Sequence, residues 1–416
     1  MASRFTEEVL KKRTLLIPNM APVQFELIKA ALEAEGYHPV VLSNAGSEVA
    51  QLGLKYVHND TCYPALLVIG QFLAALESGE YDPEKVALVI TQTGGGCRAS
   101  NYIKLLRKAL DKAGYEDVPV ASLNFSGLEK DKSIEFTPGL LKRLAAAIWY
   151  GDALDALRNQ TKPYEKNEGS TVALCSKWLE ICGDWIRANK NCAAGEIKKN
   201  FKIIAESFAS LDVLRTPKVK VGVVGEIYVK YSPLGNNGLV SFLEGQDCEV
   251  NLPGLMGFIE YSIANMSIDA SLYGIGKLKA KAADMLLRNL DGVGKAMHKA
   301  FEKYGFIAPG SFYETMKKPD GIINLGAKMG EGWLLSAEMV ELIESGYPNI
   351  VCAQPFGCLP NHIVGKGVIN RIRAKYPEAN ITPIDYDPSA TRVNQENRIK
   401  LMLAVAKENL DRRTIQ

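Results

Sequence analysis

The sequence has no run of about 18 apolar residues, the length a membrane-crossing helix needs. Its first residues, MASRFTEEVLKKRTLLIP, are charged and lack the apolar core of a secretory leader. It has no excess of either charge. Lys plus Arg number 49 against 47 Asp plus Glu, a net of +2, so neither nucleic acid nor an anionic membrane is called for as a partner. Cysteine is sparse, eight in 416 residues, which excludes a disulfide-stapled scaffold. A cytoplasmic location is expected, where cysteines act as buried fillers or as metal and redox groups. Nucleotide loops are missing as well. GVGKAM (292–297) lacks the GxxxxGK[ST] frame and lies in helical sequence, and GVVGEI (222–227) lacks GxGxxG. The chain is therefore expected neither to hydrolyse ATP nor to bind NAD through a familiar loop.

What is present is an ordinary globular composition, 47% hydrophobic and 23% charged, long enough for two or three domains. Short apolar runs at 14–20, 38–43, 86–93 and 119–124 alternate with helical patterns at 22–36, 63–78 and 98–114. This predicts a doubly wound parallel sheet in residues 1–137. Residues 138–215 read as a helical segment with a polar break at 159–170. A second α/β lobe is predicted over 216–416, with a helical insert at 254–310. Its runs VKVGVVGEI (219–227), CEVNLP (248–253), NIVCAQP (349–355) and ITPIDYD (381–387) alternate with helices at 236–245, 332–346 and 360–375. The fold class is thus α/β, two parallel-sheet lobes with helical insertions.

Ligands of open α/β sheets bind beyond the carboxyl ends of the strands. Three cysteines fall in such places. Cys97 follows a strand through TGGGC, Cys358 follows another through PFGCLP, and Cys62 lies in HNDTCYP just before a helix. Each is at or near a helix N-terminus, where free N–H groups favour a thiolate. Gly94, Gly95 and Gly96 would let the backbone approach a bulky inorganic core closely. A lone cysteine is more often a small buried hydrophobe. Three of them in Gly- or Pro-marked loops weaken that reading, although no CxxC spacing supports a metal by itself. Cys175, Cys182 and Cys192 lie in helical sequence, where packing is the simpler role, and Cys248 and Cys352 sit at strand positions as core fillers. Zinc is the competing metal, with His58 and His362 close in sequence to Cys62 and Cys358. His362 is equally a candidate donor to a bound cofactor. GEIYVKYSPLGNN (225–237) follows a strand, so Glu226, Tyr228, Lys230, Tyr231 and Asn236 are candidates for the same cleft, with Glu226 and Tyr231 as proton-handling groups. Glu331, in MGEGW, precedes a helix and can act through its dipole alone. Asp385 and Arg392 are read as structural.

At NDTCYP, TQTGGGCRASNY, GEIYVKYSPLGN, PFGCLPNH and DYDPSATRVNQENR the sequence resembles the C-terminal region of the acyl-CoA dehydratase activase-related proteins, also described as CoA-substrate-specific enzyme activases. More distantly it is similar to 2-hydroxyacyl-CoA dehydratase and benzoyl-CoA reductase subunits and to double-cubane cluster proteins. The resemblance covers about residues 13 to 408. It implies a [4Fe-4S] cluster on three cysteines, matched here by Cys62, Cys97 and Cys358, with one iron left open. A double cubane, [8Fe-9S], would need three further cysteines, and Cys175, Cys182 and Cys192 match no motif for it. It also implies a partner, an ATP-hydrolysing activase with its own [4Fe-4S] cluster that delivers low-potential electrons. The expected role is then to pass electrons to an acyl-CoA in 2-hydroxyacyl-CoA dehydration, or to a small molecule in a reduction. A non-catalytic electron relay is the alternative. In the large proteins ATPase-like domains precede this region; the sequence is read as either a stand-alone subunit or part of a longer chain. A homodimer is the default assembly.

Overall fold

The computed structural model describes residues 6–58, 60–92, 97–124 and 134–415. Two four-stranded sheets, parallel throughout, organise it. The first holds β1 (Thr14–Ile17), β2 (His38–Val41), β3 (Val86–Gln92) and β4 (Val120–Asn124) in the order β2-β1-β3-β4. The second holds β5 (Val219–Gly225), β6 (Cys248–Asn251), β7 (Asn349–Pro355) and β8 (Asn380–Tyr386) in the order β6-β5-β7-β8. The lobes thus share one topology, and the doubly wound α/β expectation holds for both. Parallel strands covered on both faces need apolar residues on both, and every residue of β7 is buried. Chain order reverses between β1 and β3 and again between β5 and β7, which opens a crevice at the carboxyl end of each sheet.

Helix Tyr63–Glu77 shows why the first lobe closes well. Pro64 occupies its first turn, where a missing N–H costs nothing. All but two of its residues are buried, the signature of a core helix rather than a surface one. It crosses helix Ser47–Tyr56, which the apolar periodicity does not announce. There Gly53 lies so close that a Cβ would stand 2.2 Å from the Leu66 carbonyl. A glycine inside a helix weakens its local signal, while here it permits the crossing. The helix expected at 360–375 is broken instead. Leu359–Val364 and Ile369–Lys375 flank a tight turn at Lys366–Val368. GIINLG (321–326) forms turns and no strand, with Ile322 buried.

The segment at 138–215 forms helices Pro138–Thr161, Ser170–Arg187 and Ala194–Ala209. They do not build a core of their own. Trp149, Leu157, Phe201 and Ile204 pack in one cluster with Leu15 and Leu27 of the first lobe and with Met297 and Phe301 of the insert. The insert is a hairpin of Leu255–Tyr273 and Lys277–Lys303. The two sheets also share a core, in which Leu66, Phe72 and Leu88 join Val221, Val351 and Met402. Among the described residues no helix is long and apolar enough to cross a membrane.

The last residue of β5 sets the site. Gly225 has φ +150°, and a Cβ there would stand 2.1 Å from the Ala353 carbonyl of β7. Gly225→Ala is expected to cost about 3 kcal/mol or more through backbone strain and clash. A urea melt would show it as a lower midpoint at unchanged slope.

Candidate cysteine site at the facing sheet edges

The carboxyl edges of the two sheets face each other. The Tyr63 amide donates to the Phe356 carbonyl at 3.3 Å, and Ser232 Oγ reaches the Asn19 carbonyl at 3.4 Å. Gly357, at φ +75°, brings the second lobe close enough that a Cβ would lie 3.6 Å from Cys62 Cα. Cys62 and Cys358 are therefore neighbours across the lobes, although almost 300 residues separate them.

Each of the three cysteines is the N-cap of a helix. Cys62 caps Tyr63–Glu77, Cys97 caps the short Arg98–Asn101 turn, and Cys358 caps Leu359–Val364. N-cap positions aim unpaired amides at the side chain. For Cys97 the contact is explicit, with the Ala99 amide 3.5 Å from Sγ. Cys62 Sγ lies 3.0 Å from the hydroxyl of buried Tyr102, and Asn361 Nδ2 donates to Cys358 Sγ at 3.3 Å. Arg98 holds the neighbouring loop by donating to the Asp60 carbonyl at 2.6 Å.

The thiols are not activated in this state. Burial pushes all three up, Cys97 to about 12, and the Glu331 and Glu226 carboxylates oppose ionisation of Cys97 and Cys358 further. Glu226 also bears on Cys62, so it is the carboxyl that acts on all three. It follows Gly225 at the switch point of the second sheet and caps its helix by accepting from the Val229 amide at 2.9 Å. Glu331 accepts from the Ile227 amide at 3.0 Å and from Asn361 Nδ2 at 2.7 Å. Both carboxyls are raised above the ordinary range, by burial first; for Glu226 the charge of Glu331 comes next. Two such groups together hold a proton more firmly than either would alone. Asn361 thus links Glu331 to Cys358.

Other sequence candidates fall elsewhere. Tyr231 does not point to the cysteines: its hydroxyl donates to the Pro253 carbonyl at 2.5 Å, and the carboxyls that bear on it are Glu338, Asp152 and Asp155. His362 lies on the helix that Cys358 caps, with its amide bonded to the Cys358 carbonyl, but Asn361 is the residue that reaches the sulfur. Gly94, Gly95 and Gly96 lie outside the described residues. Asn236 serves its own loop, donating to the Val229 carbonyl at 2.8 Å. Cys175, Cys182 and Cys192 are buried in the other core cluster, with Leu27 and Phe201. Cys352 is buried within the second sheet. Tyr102, Asn361 and the joining of Glu331 to Glu226 were not foreseen. No short-range pattern marks the Tyr102 and Glu331 contacts, which span 40 and 104 residues; Asn361 lies only three residues after Cys358, within capping distance, and is the one a local reading could have found.

Among the described residues no group of three or more His, Cys, Asp and Glu side chains is arranged around a single metal ion. A cubane is wider than one ion and takes each thiolate on a different iron, so its anchors stand further apart than zinc ligands do. The donor set fits such a group. It offers three thiols at helix N-termini, a tyrosine hydroxyl and an amide aimed at two of the sulfurs, and a glycine where the lobes meet. Among the described residues the buried Asn361 Oδ1 has no partner. The chain matches no protein-family model and no curated protein.

Proposed function

We propose that Cys62, Cys97 and Cys358 hold a [4Fe-4S] cluster and that the chain takes low-potential electrons from an ATP-hydrolysing activase and passes them to a substrate, a 2-hydroxyacyl-CoA or a small molecule. The observation that carries this reading is the convergence of three N-capping cysteines with the Glu226–Glu331 pair at the facing edges of two parallel sheets. When bound, the cluster supplies one-electron chemistry at low potential.

The protein's own groups have separate tasks. The three cysteines anchor the cluster. Tyr102 and Asn361 orient Cys62 and Cys358 and donate to their sulfurs. Glu226 and Glu331 hold a proton beside the cysteines, as reduction of an organic substrate requires. Exposed Phe356, Leu359 and Ile363 form an apolar rim beside Cys358 on which an electron-donor protein can seat. Because Cys175, Cys182 and Cys192 pack elsewhere, a single cubane is favoured over [8Fe-9S].

Anaerobic reconstitution followed by iron and sulfide analysis tests the reading. About four iron and four sulfide per chain are expected. About eight iron would replace the single cubane by the double one, and a colourless, iron-free chain would overturn the proposal.

A further inference from the structure

A cavity lies away from the cysteines, between helix Pro138–Thr161, the insert hairpin and helix Gly332–Glu344. Its volume is about 70 Å³. One water needs roughly 10–15 Å³ on this measure, so the space suits about five or six non-hydrogen atoms. Four carboxyl-bearing residues line it: Asp152, Glu260, Glu338 and Glu341. No lysine, arginine or histidine does, among the described residues. The remaining walls include Trp149, Met256, Met297, Phe312 and Leu334.

Three of the carboxyls are satisfied by the protein. Asp152 accepts from Gln24 Nε2 and from the Leu255 and Met256 amides at 2.8–3.0 Å. Glu338 binds Lys230, and Glu341 accepts from Thr315 Oγ1 at 3.2 Å. Glu260 differs. It is only 6% exposed and lines the cavity, yet no described residue donates a hydrogen bond to it or pairs with it. The nearby cations are already committed, Lys230 to Glu338, Lys295 to Asp291 and Lys318 to Glu344. A buried carboxyl without a donor is costly, and it lines a space with apolar walls; burial and the neighbouring Asp291, Asp152 and Glu341 push Glu260 up to about 8, so it ionises readily only when a cation enters beside it.

We infer that this cavity binds a short aliphatic amine as its ammonium ion, with Glu260 as the principal counter-charge. The ammonium supplies the donors that Glu260 lacks, the other carboxyls add favourable field, and the methylenes lie against Trp149, Met256 and Phe312. A bare metal ion is disfavoured because no three of these carboxyls are arranged to coordinate one. The inference does not depend on the cluster, since none of the three cysteines lines the cavity.

The probe is 1,4-diaminobutane, titrated into the full chain at pH 8 by calorimetry and followed by thermal melting. n-Butanol serves as the uncharged control and Mg²⁺ as the metal control. Saturable diamine binding is expected, with a raised melting temperature, weakened at least tenfold in Glu260→Gln and less in Glu341→Gln. Circular dichroism confirms that the variants are folded. Should Glu260→Gln fail to fold, a loss of affinity in Glu341→Gln carries the test. No diamine binding, equal affinity in the folded variants, equal binding of butanol, or displacement of the diamine by Mg²⁺ would each overturn the inference.

Discussion

Cys97→Ala, reconstituted anaerobically beside the unmodified chain, is expected to retain well under half of its iron and to lose the broad visible absorption of a cluster. Three thiols are all that the facing edges would offer the proposed cluster, and losing one would leave an iron without its protein anchor. Cys97 is the most exposed of the three, so its anchorage is the one water reaches first. The fold should survive. The side chain is small and incompletely buried, and it caps only a short turn, so removal should cost about 1 kcal/mol. Loss of iron in a chain that still melts cooperatively would therefore report on the site. Cys192→Ala supplies the contrast. Its thiol is buried and donates to the Lys190 carbonyl at 3.2 Å, within the core around Phe201. That variant should lose some stability and keep its iron. Full iron in Cys97→Ala, or equal loss in both, would remove Cys97 from the ligand set.

The contrast between those cysteines also shows what a sequence can and cannot carry. Strand ends were legible because largely apolar runs such as NIVCAQP break at Pro, Gly or a charge, and the residues after them must lie at a sheet edge. This placed Cys97, Cys358 and Glu226 at the crevices before any contact was known. What could not be read was which side chain within a loop turns inward. Tyr231 and His362 were natural candidates from their chemistry. The backbone sends Tyr231 towards Pro253, and Asn361, one residue before His362, reaches the sulfur. Helix phase decides such cases, and a short helix that begins at a cap fixes its phase only in three dimensions. Glu260 is a harder case still. On helix Leu255–Tyr273 it is one polar residue among many, and its burial follows from the insert folding against helix Gly332–Glu344.

Replacing Lys230 by Met is expected to destabilise the chain by about 3–5 kcal/mol, the usual cost of leaving one member of a buried ion pair alone. Lys230 is 4% exposed and Glu338 5%, and the ammonium bonds both carboxylate oxygens at 3.0 and 3.2 Å. The ring of Tyr231 lies 4.7 Å from the same nitrogen, which is the role the structure gives that tyrosine. Without Lys230, Glu338 faces Glu331 and Glu341 with no compensating charge. Burial already holds its carboxyl above the ordinary value of 4.5 with the lysine present, and the variant raises it further. A carboxyl whose folded pKa exceeds its unfolded one is protonated in both states at acid pH, so the penalty is absent there. It grows as pH rises past the unfolded value and levels off above the folded one. Denaturant melts of Lys230→Met should thus approach those of the unmodified chain near pH 4 and fall well below them at pH 8, with 4 and 8 chosen to lie roughly on either side of the transition. The double variant Lys230→Met, Glu338→Leu should recover most of the loss, because it buries neither charge. A flat pH dependence, or a double variant no better than the single, would mean that the pair is not closed in the folded chain.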